Sequence, residues 1–235
     1  LTEFLDDPEP HDCGHCVNCT GKLILPAKPE PETVQDAKDY FSEQSQVIVP
    51  NLRWPMRIVE MEKLPYKNKQ SLPYRNQEGL YLCRYNDPGL GHMVKQGKYT
   101  DKRFSDELVE ESAKRLADFV KKHEIGHITF VPSLRSNLVE DFARRLAGKL
   151  GLPFVTLLSK TSTPQQKEME NSAHQCRNAL KSFSLLEGVD IPKKVLLVDD
   201  MVDSNWTLTI CGLRLMEKGC KEVYPFALAS TSTRS

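Results

Sequence analysis

Residues 195–209 read Val-Leu-Leu-Val-Asp-Asp-Met-Val-Asp-Ser-Asn-Trp-Thr-Leu-Thr. The first four are a continuous apolar run, the pattern of a strand buried on both faces of a parallel sheet. Asp199 and Asp200 then stand at the carboxyl end of that strand, where open α/β sheets bind their ligands. The loop 203–207 leads into a helical pattern at 206–218. Backbone amides at such a helix start, with the hydroxyls of Ser204 and Thr207, suit a phosphate. Carboxylates for ribose hydroxyls or Mg2+ beside a phosphate cradle describe a sugar phosphate. An acidic helix-capping turn is the simpler alternative for Asp199-Asp200, but it leaves the loop hydroxyls without a purpose.

Outward from this segment, strands and helices alternate. Strand-like runs fall at His127–Val131, Phe154–Leu158, Val195–Val198 and Val223–Leu228, with helical patterns at 137–150, 164–181 and 206–218 between them. Ser105 is placed to cap a helix whose first turn carries Asp106 and Glu107. Leu108, Val109, Leu116, Phe119 and Val120 form one stripe at helical spacing, ending near Gly126. The expectation is an α/β domain with a parallel sheet over 105–235. Residues 45–104 carry short β-like runs, Gln46–Val49, Arg57–Glu62 and Leu80–Tyr85, broken by Pro and Gly, and read as a separate small mixed β-rich module. Residues 22–44 read as a proline-stiffened linker (KLILPAKPEP at 22–31) and a short helix over 32–44. Residues 1–21 are polar and turn-rich.

Composition excludes several classes. Of 235 residues 39% are hydrophobic, and Lys+Arg and Asp+Glu are equal at 32 each. This is no strongly basic nucleic-acid binder, acidic solvating tail or collagen-like chain, and any nucleic-acid contact must come from a local patch. There is no run of 18 apolar residues and no basic-then-apolar leader, so neither a membrane helix nor a secretory signal is expected. The chain opens on Leu1 and reads as an excised or processed piece.

The seven cysteines point to reduced thiols or metal ligation rather than disulfides. Cys83, Cys176, Cys211 and Cys220 sit on apolar patterns and read as small buried hydrophobes. Cys13, Cys16 and Cys19 form two successive Cys-x-x-Cys spacings, which suit a structural tetrahedral Zn2+. A fourth ligand is needed; His11 or His15 could serve, or it lies upstream. The alternative is a reactive thiol cluster.

Residues 127–230 resemble type I phosphoribosyltransferases. HITFVPSLRS (127–136) looks like the first strand and pyrophosphate loop, placing Ser133, Leu134 and Arg135 near a pyrophosphate; a solvated loop arginine is the alternative for Arg135. KTSTPQQKEMENSAHQCRNALKSF (160–183) is similar to the flexible-loop region of the ComF-like branch at Thr163, Pro164, Gln166 and Arg177-Asn178. The resemblance implies that Asp199, Asp200, Asp203, Ser204, Asn205, Trp206 and Thr207 bind the ribose-phosphate of 5-phosphoribosyl-1-diphosphate (PRPP) with Mg2+. Asn205 replaces the family's glycine, and asparagine best tolerates the left-handed turn required. Trp206 replaces a small residue and would crowd or cap the site. An acceptor-binding hood would have to come from before residue 126, where none is identifiable, so no catalytic residue is assigned.

FLDDPEPHDCGHCVNCTG (4–21) looks like the end of the zinc module of RecQ-type DNA helicases, whose fourth cysteine lies upstream. Residues 50–55, 89–91, 97–99 and 104–109 resemble the C-terminal part of bacterial helicases of that type ending in a phosphoribosyltransferase-like domain. The resemblance implies a cytoplasmic, nucleoid-associated accessory region for DNA repair and recombination, partnered by DNA and by a motor on the same polypeptide. The chain contains no Gly-x-x-x-x-Gly-Lys-Ser/Thr loop, so it cannot hydrolyse ATP by that route. Arg53, Trp54 and Arg57, followed by Lys67 and Lys69, combine basic and aromatic side chains that would suit single-stranded or junction DNA; a solvated basic face with Trp54 packed inward is the alternative. Three functions remain in view: helicase accessory region, active phosphoribosyltransferase, and interaction platform with a vestigial phosphate site.

Overall fold

A computed structural model of the chain describes residues 11–22, 28–34, 36, 46–161 and 172–231. They fall in two compact units, Leu1–Ser45 and Gln46–Ser235. In the first, a short helix α1 (Val17–Thr20) carries Cys19 and closes on Gly21 in the left-handed conformation. The expected linker and helix at 22–44 lie largely outside the described residues; 31–34 are helical.

The second unit runs β1 (Val47–Ile48), α2 (Ile58–Met61), β2 (Gly79–Arg84), α3 (Leu90–Gln96) with a π-helical turn (Gly97–Asp101), α4 (Asp106–His123), β3 (His127–Phe130), α5 (Leu138–Leu150), β4 (Leu158–Lys160), α6 (Ser172–Ser182), β5 (Phe183–Leu185), β6 (Lys194–Val202), α7 (Trp206–Glu217) and β7 (Glu222–Ser230). The main sheet has the order β1-β2-β7-β6-β3 and is parallel except for the β1–β2 pair. The expected α/β class with a parallel sheet is what the structure has.

The periodicity of β6 explains the layering. Val195 and Leu197 face one core with Cys176, Leu208 and Cys211 of α6 and α7. Leu196 and Val198 face the other with Leu108, Leu116, Phe142 and Leu146 of α4 and α5. All four strand residues are fully buried, each such aliphatic side chain contributing about 2 kcal/mol. Helix α4 starts as expected, with the Ser105 hydroxyl accepting from the Leu108 amide at 3.3 Å, a cap that contributes about 1 kcal/mol.

The structure departs from expectation in three places. Arg57–Glu62 is not a strand: Arg57 adopts φ 62° and a helical turn follows. The β-branched pair Ile58-Val59 mimics a strand in sequence, yet both residues pack inward from that turn. Phe154–Leu158 makes only a single parallel bridge, Phe154 to Ile128; the strand proper is β4, which pairs antiparallel with β5 in a two-stranded sheet of its own. Finally, the sheet crosses the boundary expected at residue 105. β2 pairs parallel with β7 along Leu80–Arg84, and residues 46–104 share one compact unit with the rest. Gly79 lets this pairing close, since a Cβ there would sit 2.1 Å from the Pro225 carbonyl oxygen. Asn76, buried, donates to the Leu208 carbonyl at 2.9 Å and abuts Gly212, where a Cβ would lie 1.8 Å from its Oδ1.

Candidate functional site

Beyond Val198 the pairing with β3 stops, while β6 continues beside β7 to Val202 and turns polar at Asp199 and Asp200. Asp199 is 8% exposed, and its Oδ1 accepts the Asp200 amide at 2.8 Å. Burial first, and then the adjacent Asp200 carboxylate, hold the Asp199 carboxyl well above its ordinary range, while Lys98 and Lys160 pull the other way. Asp200 is turned outward and forms an ion pair with Lys98 Nζ at 2.8 Å.

The loop that follows is fastened from outside the 105–235 segment. Asn205 has φ 64° and ψ 6° as the residue before α7, the left-handed conformation expected of it. Its Nδ2 donates to the Val49 carbonyl at 2.9 Å. Asn51 Nδ2 in turn reaches the Ser204 carbonyl at 3.3 Å and Thr209 Oγ1 at 3.1 Å. Trp206, expected to crowd or cap the site, is 5% exposed, lines the smaller cavity beside the loop and donates from its Nε1 to Ser172 Oγ at 2.7 Å.

Two neighbouring cavities meet at this loop. One of about 310 Å³ lies against Asp203, Ser204, Asn205 and Thr207, with Gln175 and Asn178 of α6 opposite. The other, about 730 Å³, is bounded by Ser133 and Arg135 after β3, by Asp199 and Asp200, by Lys98 of the π-turn and by Lys102 just after it. Lys160, Asp203 and Thr207 line both. The structure thus brings Asp199, Asp200, Asp203 and Thr207 together with Ser133 and Arg135 around the larger cavity, while Ser204 and Asn205 line the smaller one. Ser133 Oγ accepts the Arg135 amide at 3.3 Å, which shapes the turn after β3. Thr163, Pro164 and Gln166 lie outside the described residues. Arg177 is directed elsewhere, into an ion pair with Glu62 at 2.5 Å.

Lys98 and Lys160 carry no expected role, yet both reach the cleft. Lys160 is flagged by nothing local: it ends β4, its ammonium 4.9 Å from the Phe183 ring centroid. Lys98 stands within the Gly97-Lys98-Tyr99 stretch, but only the pairing of β2 with β7 brings that turn beside β6.

The cysteine turn is a self-contained second candidate. The Sγ of Cys19 lies 3.3 Å from that of Cys16 and 3.6 Å from that of Cys13. Tetrahedral zinc with bonds of about 2.3 Å separates its sulfurs by about 3.8 Å, so a small expansion would admit the ion. The amides of His15 and Cys16 donate to Cys13 Sγ at 3.5 and 3.3 Å and lower its pKa to about 7. Cys19, whose Sγ is hydrogen-bonded with that of Cys16, is raised to about 11. These three thiols are a cluster able to hold a metal ion. The remaining cysteines are buried and free, as expected.

The basic stretch at 53–69 is less coherent than its sequence. Trp54 is 6% exposed and stacks on Tyr66, with ring centroids 5.5 Å apart. It is therefore a core residue and offers no face to a base. Lys69 pairs with Glu60 at 3.2 Å, whereas Arg53, Arg57 and Lys67 are exposed.

No family model matches the chain. Over 109 residues it is 28% identical to a ribose-phosphate pyrophosphokinase of Bacillus caldolyticus, a match spanning 46% of this chain and 30% of that protein. Among solved structures it is similar to a purine phosphoribosyltransferase from Pyrococcus horikoshii (19% identity, TM-score 0.38, 57% of this chain and 81% of that one). It is also similar to a hypoxanthine-guanine phosphoribosyltransferase from Bacillus anthracis (23% identity, TM-score 0.38, 54% and 70%). No helix among the described residues is long and apolar enough to cross a membrane.

Proposed function

We propose that the cleft at the end of β6 binds a phosphorylated ribose, with PRPP as the ligand class, and that it does so without turnover. The observation that carries this is the convergence of Asp199, Asp200, Asp203 and Thr207 with Ser133 and Arg135 about one cavity of about 730 Å³. Asp199 and Asp200 would meet the ribose hydroxyls, the 203–207 loop the 5′-phosphate, and the Ser133–Arg135 turn the diphosphate. Asp200, paired with Lys98 in the cleft wall, is the carboxylate a ligand-borne Mg2+ would meet, and that ion would neutralise diphosphate charge; Asp199 is buried against its neighbour. The curated relative's name concerns a ribose phosphate, in keeping with this reading.

The finer reading is that the chain is the accessory C-terminal region of a RecQ-type DNA helicase. Its support is the joint presence of the Cys13-Cys16-Cys19 turn and the ribose-phosphate segment on one chain. The cysteines would hold a structural Zn2+ with a fourth ligand, and exposed Arg53, Arg57 and Lys67 would touch DNA phosphates, with Trp54 in a supporting place.

Calorimetric titration of the full chain with PRPP and Mg2+ tests the central claim. Saturable binding is expected, and the double variant Asp199→Asn/Asp200→Asn should weaken it by at least about a hundredfold, roughly 2.7 kcal/mol. A folded chain that gives no heat with PRPP would leave only a borrowed scaffold. For the finer reading, fluorescence anisotropy with single-stranded DNA should show salt-sensitive binding; no binding at low salt would remove DNA from its partners.

A further inference from the structure

A cleft built for a diphosphate faces an electrostatic difficulty: it must also keep the acidic pair that meets the sugar. In this chain that difficulty is met by a side chain. Lys98 Nζ lies 2.8 Å from Asp200 Oδ2 and 3.1 Å from Met201 Sδ. Its side chain is 26% exposed and that of Asp200 is 17% exposed, so the pair is formed within the cleft wall, where screening by salt is weak. The turn carrying it is fixed: Gly97 packs so closely that a Cβ would lie 2.9 Å from both the Arg103 carbonyl oxygen and the Phe104 ring. Lys102 lines the same cavity and donates to the Lys98 carbonyl at 3.4 Å. Arg135 and Lys160 complete the basic wall. Among the described residues, no carboxylate forms an ion pair with Lys102, Lys160 or Arg135.

The cavity therefore sets four cationic side chains, Lys98, Lys102, Arg135 and Lys160, against three aspartates, Asp199, Asp200 and Asp203. Asp199 is buried at the back of that wall, which disfavours its charged form. A diphosphate entering such a space meets a net positive surface before any metal arrives.

We infer that Lys98 is a resident counter-cation for Asp200, so that the cleft takes a diphosphate-bearing ligand without a divalent metal. Added Mg2+ and the Lys98 ammonium then compete for one carboxylate. This rests on the ribose-phosphate reading of the cleft and adds the charge state in which the ligand is taken.

The test is titration of the full chain with PRPP, and separately with inorganic pyrophosphate, in EDTA and in millimolar Mg2+. The intact chain is expected to bind PRPP in EDTA with a Kd within about threefold of the Mg2+ value. Lys98→Met should lose at least tenfold in EDTA and recover in Mg2+, while Lys98→Arg should keep binding in both. PRPP binding by the intact chain only when Mg2+ is present overturns the inference and leaves the ribose-phosphate site standing. Equal binding of PRPP in EDTA by the intact chain and Lys98→Met overturns the role of Lys98. Absence of PRPP binding in both buffers overturns both readings together. If Lys98→Met fails to fold, by circular dichroism, the intact chain and Lys98→Arg in EDTA still decide.

Discussion

The two candidate sites are built on opposite plans. The cysteine turn draws its three candidate ligands from residues 13–19 and holds Cys13 with its own backbone amides. The cleft at the end of β6 gathers Asn51, Lys98, Ser133, Arg135, Lys160 and the 199–207 segment, distributed over most of the second unit. A site of the first kind survives as long as one turn does. One of the second kind exists only when the whole sheet has closed, so its ligand affinity should report on packing far from the ligand.

The largest expected effect tests that dependence at Trp54, which touches no ligand group. Trp54→Ala should cost about 3–5 kcal/mol of stability, the usual range for emptying a buried aromatic site, and PRPP affinity should fall as the folded fraction falls. Zinc content, measured by mass spectrometry on the same sample, should not move. Loss of zinc together with PRPP binding would break the contrast. The converse substitution, Cys16→Ser, should remove most of the zinc and leave the PRPP Kd within about twofold, read by the same titration.

The smallest effect concerns Asp199 itself. Its folded-state pKa stands above the ordinary 3.8 because burial and Asp200 disfavour its charge. The folded state thus holds this proton more tightly than the unfolded one. Its contribution is intact below the unfolded value and is lost as pH rises through the folded one. Asp199→Asn, which keeps an oxygen for the Asp200 amide, should therefore raise Tm by a few degrees at neutral pH and by nothing at pH 3. Thermal melts across that range check it; a lower Tm at pH 7 would show that the carboxylate is held by stabilising partners. A gain in stability accompanied by loss of PRPP binding would mark Asp199 as kept for the ligand.

What the sequence discloses follows the same division. Val195–Val198, the acidic pair, the Ser105 cap and the cysteine spacing are signals confined to a few adjacent residues, and each is found where the pattern put it. The left-handed Asn205 belongs with them, because its side chain alone makes that conformation tolerable. Arg57–Glu62 misleads because Ile58 and Val59 are strand-formers by type, and only their inward packing beside Leu72 selects a helical turn. Trp54 imitates a base-stacking aromatic because sequence does not say which face an aromatic presents, and here it is turned into the core. Lys98 and Lys160 are beyond local reading, since nothing in residues 97–101 or 158–160 announces that a parallel pairing and a separate two-stranded sheet will carry them to one cavity.

The position of β2 outside β7 has a consequence for anyone dividing the chain. A fragment beginning at Ser105 retains every residue of the ribose-phosphate signature, yet it uncovers β7, whose burial runs almost without a break from Val223 to Ser230. That strand would become a long, apolar, unpaired edge, the kind of surface through which chains add to one another in register. Such a fragment should leave solution as oligomers. Material starting at Gln46, with its own strand already shielding that edge, should stay dispersed.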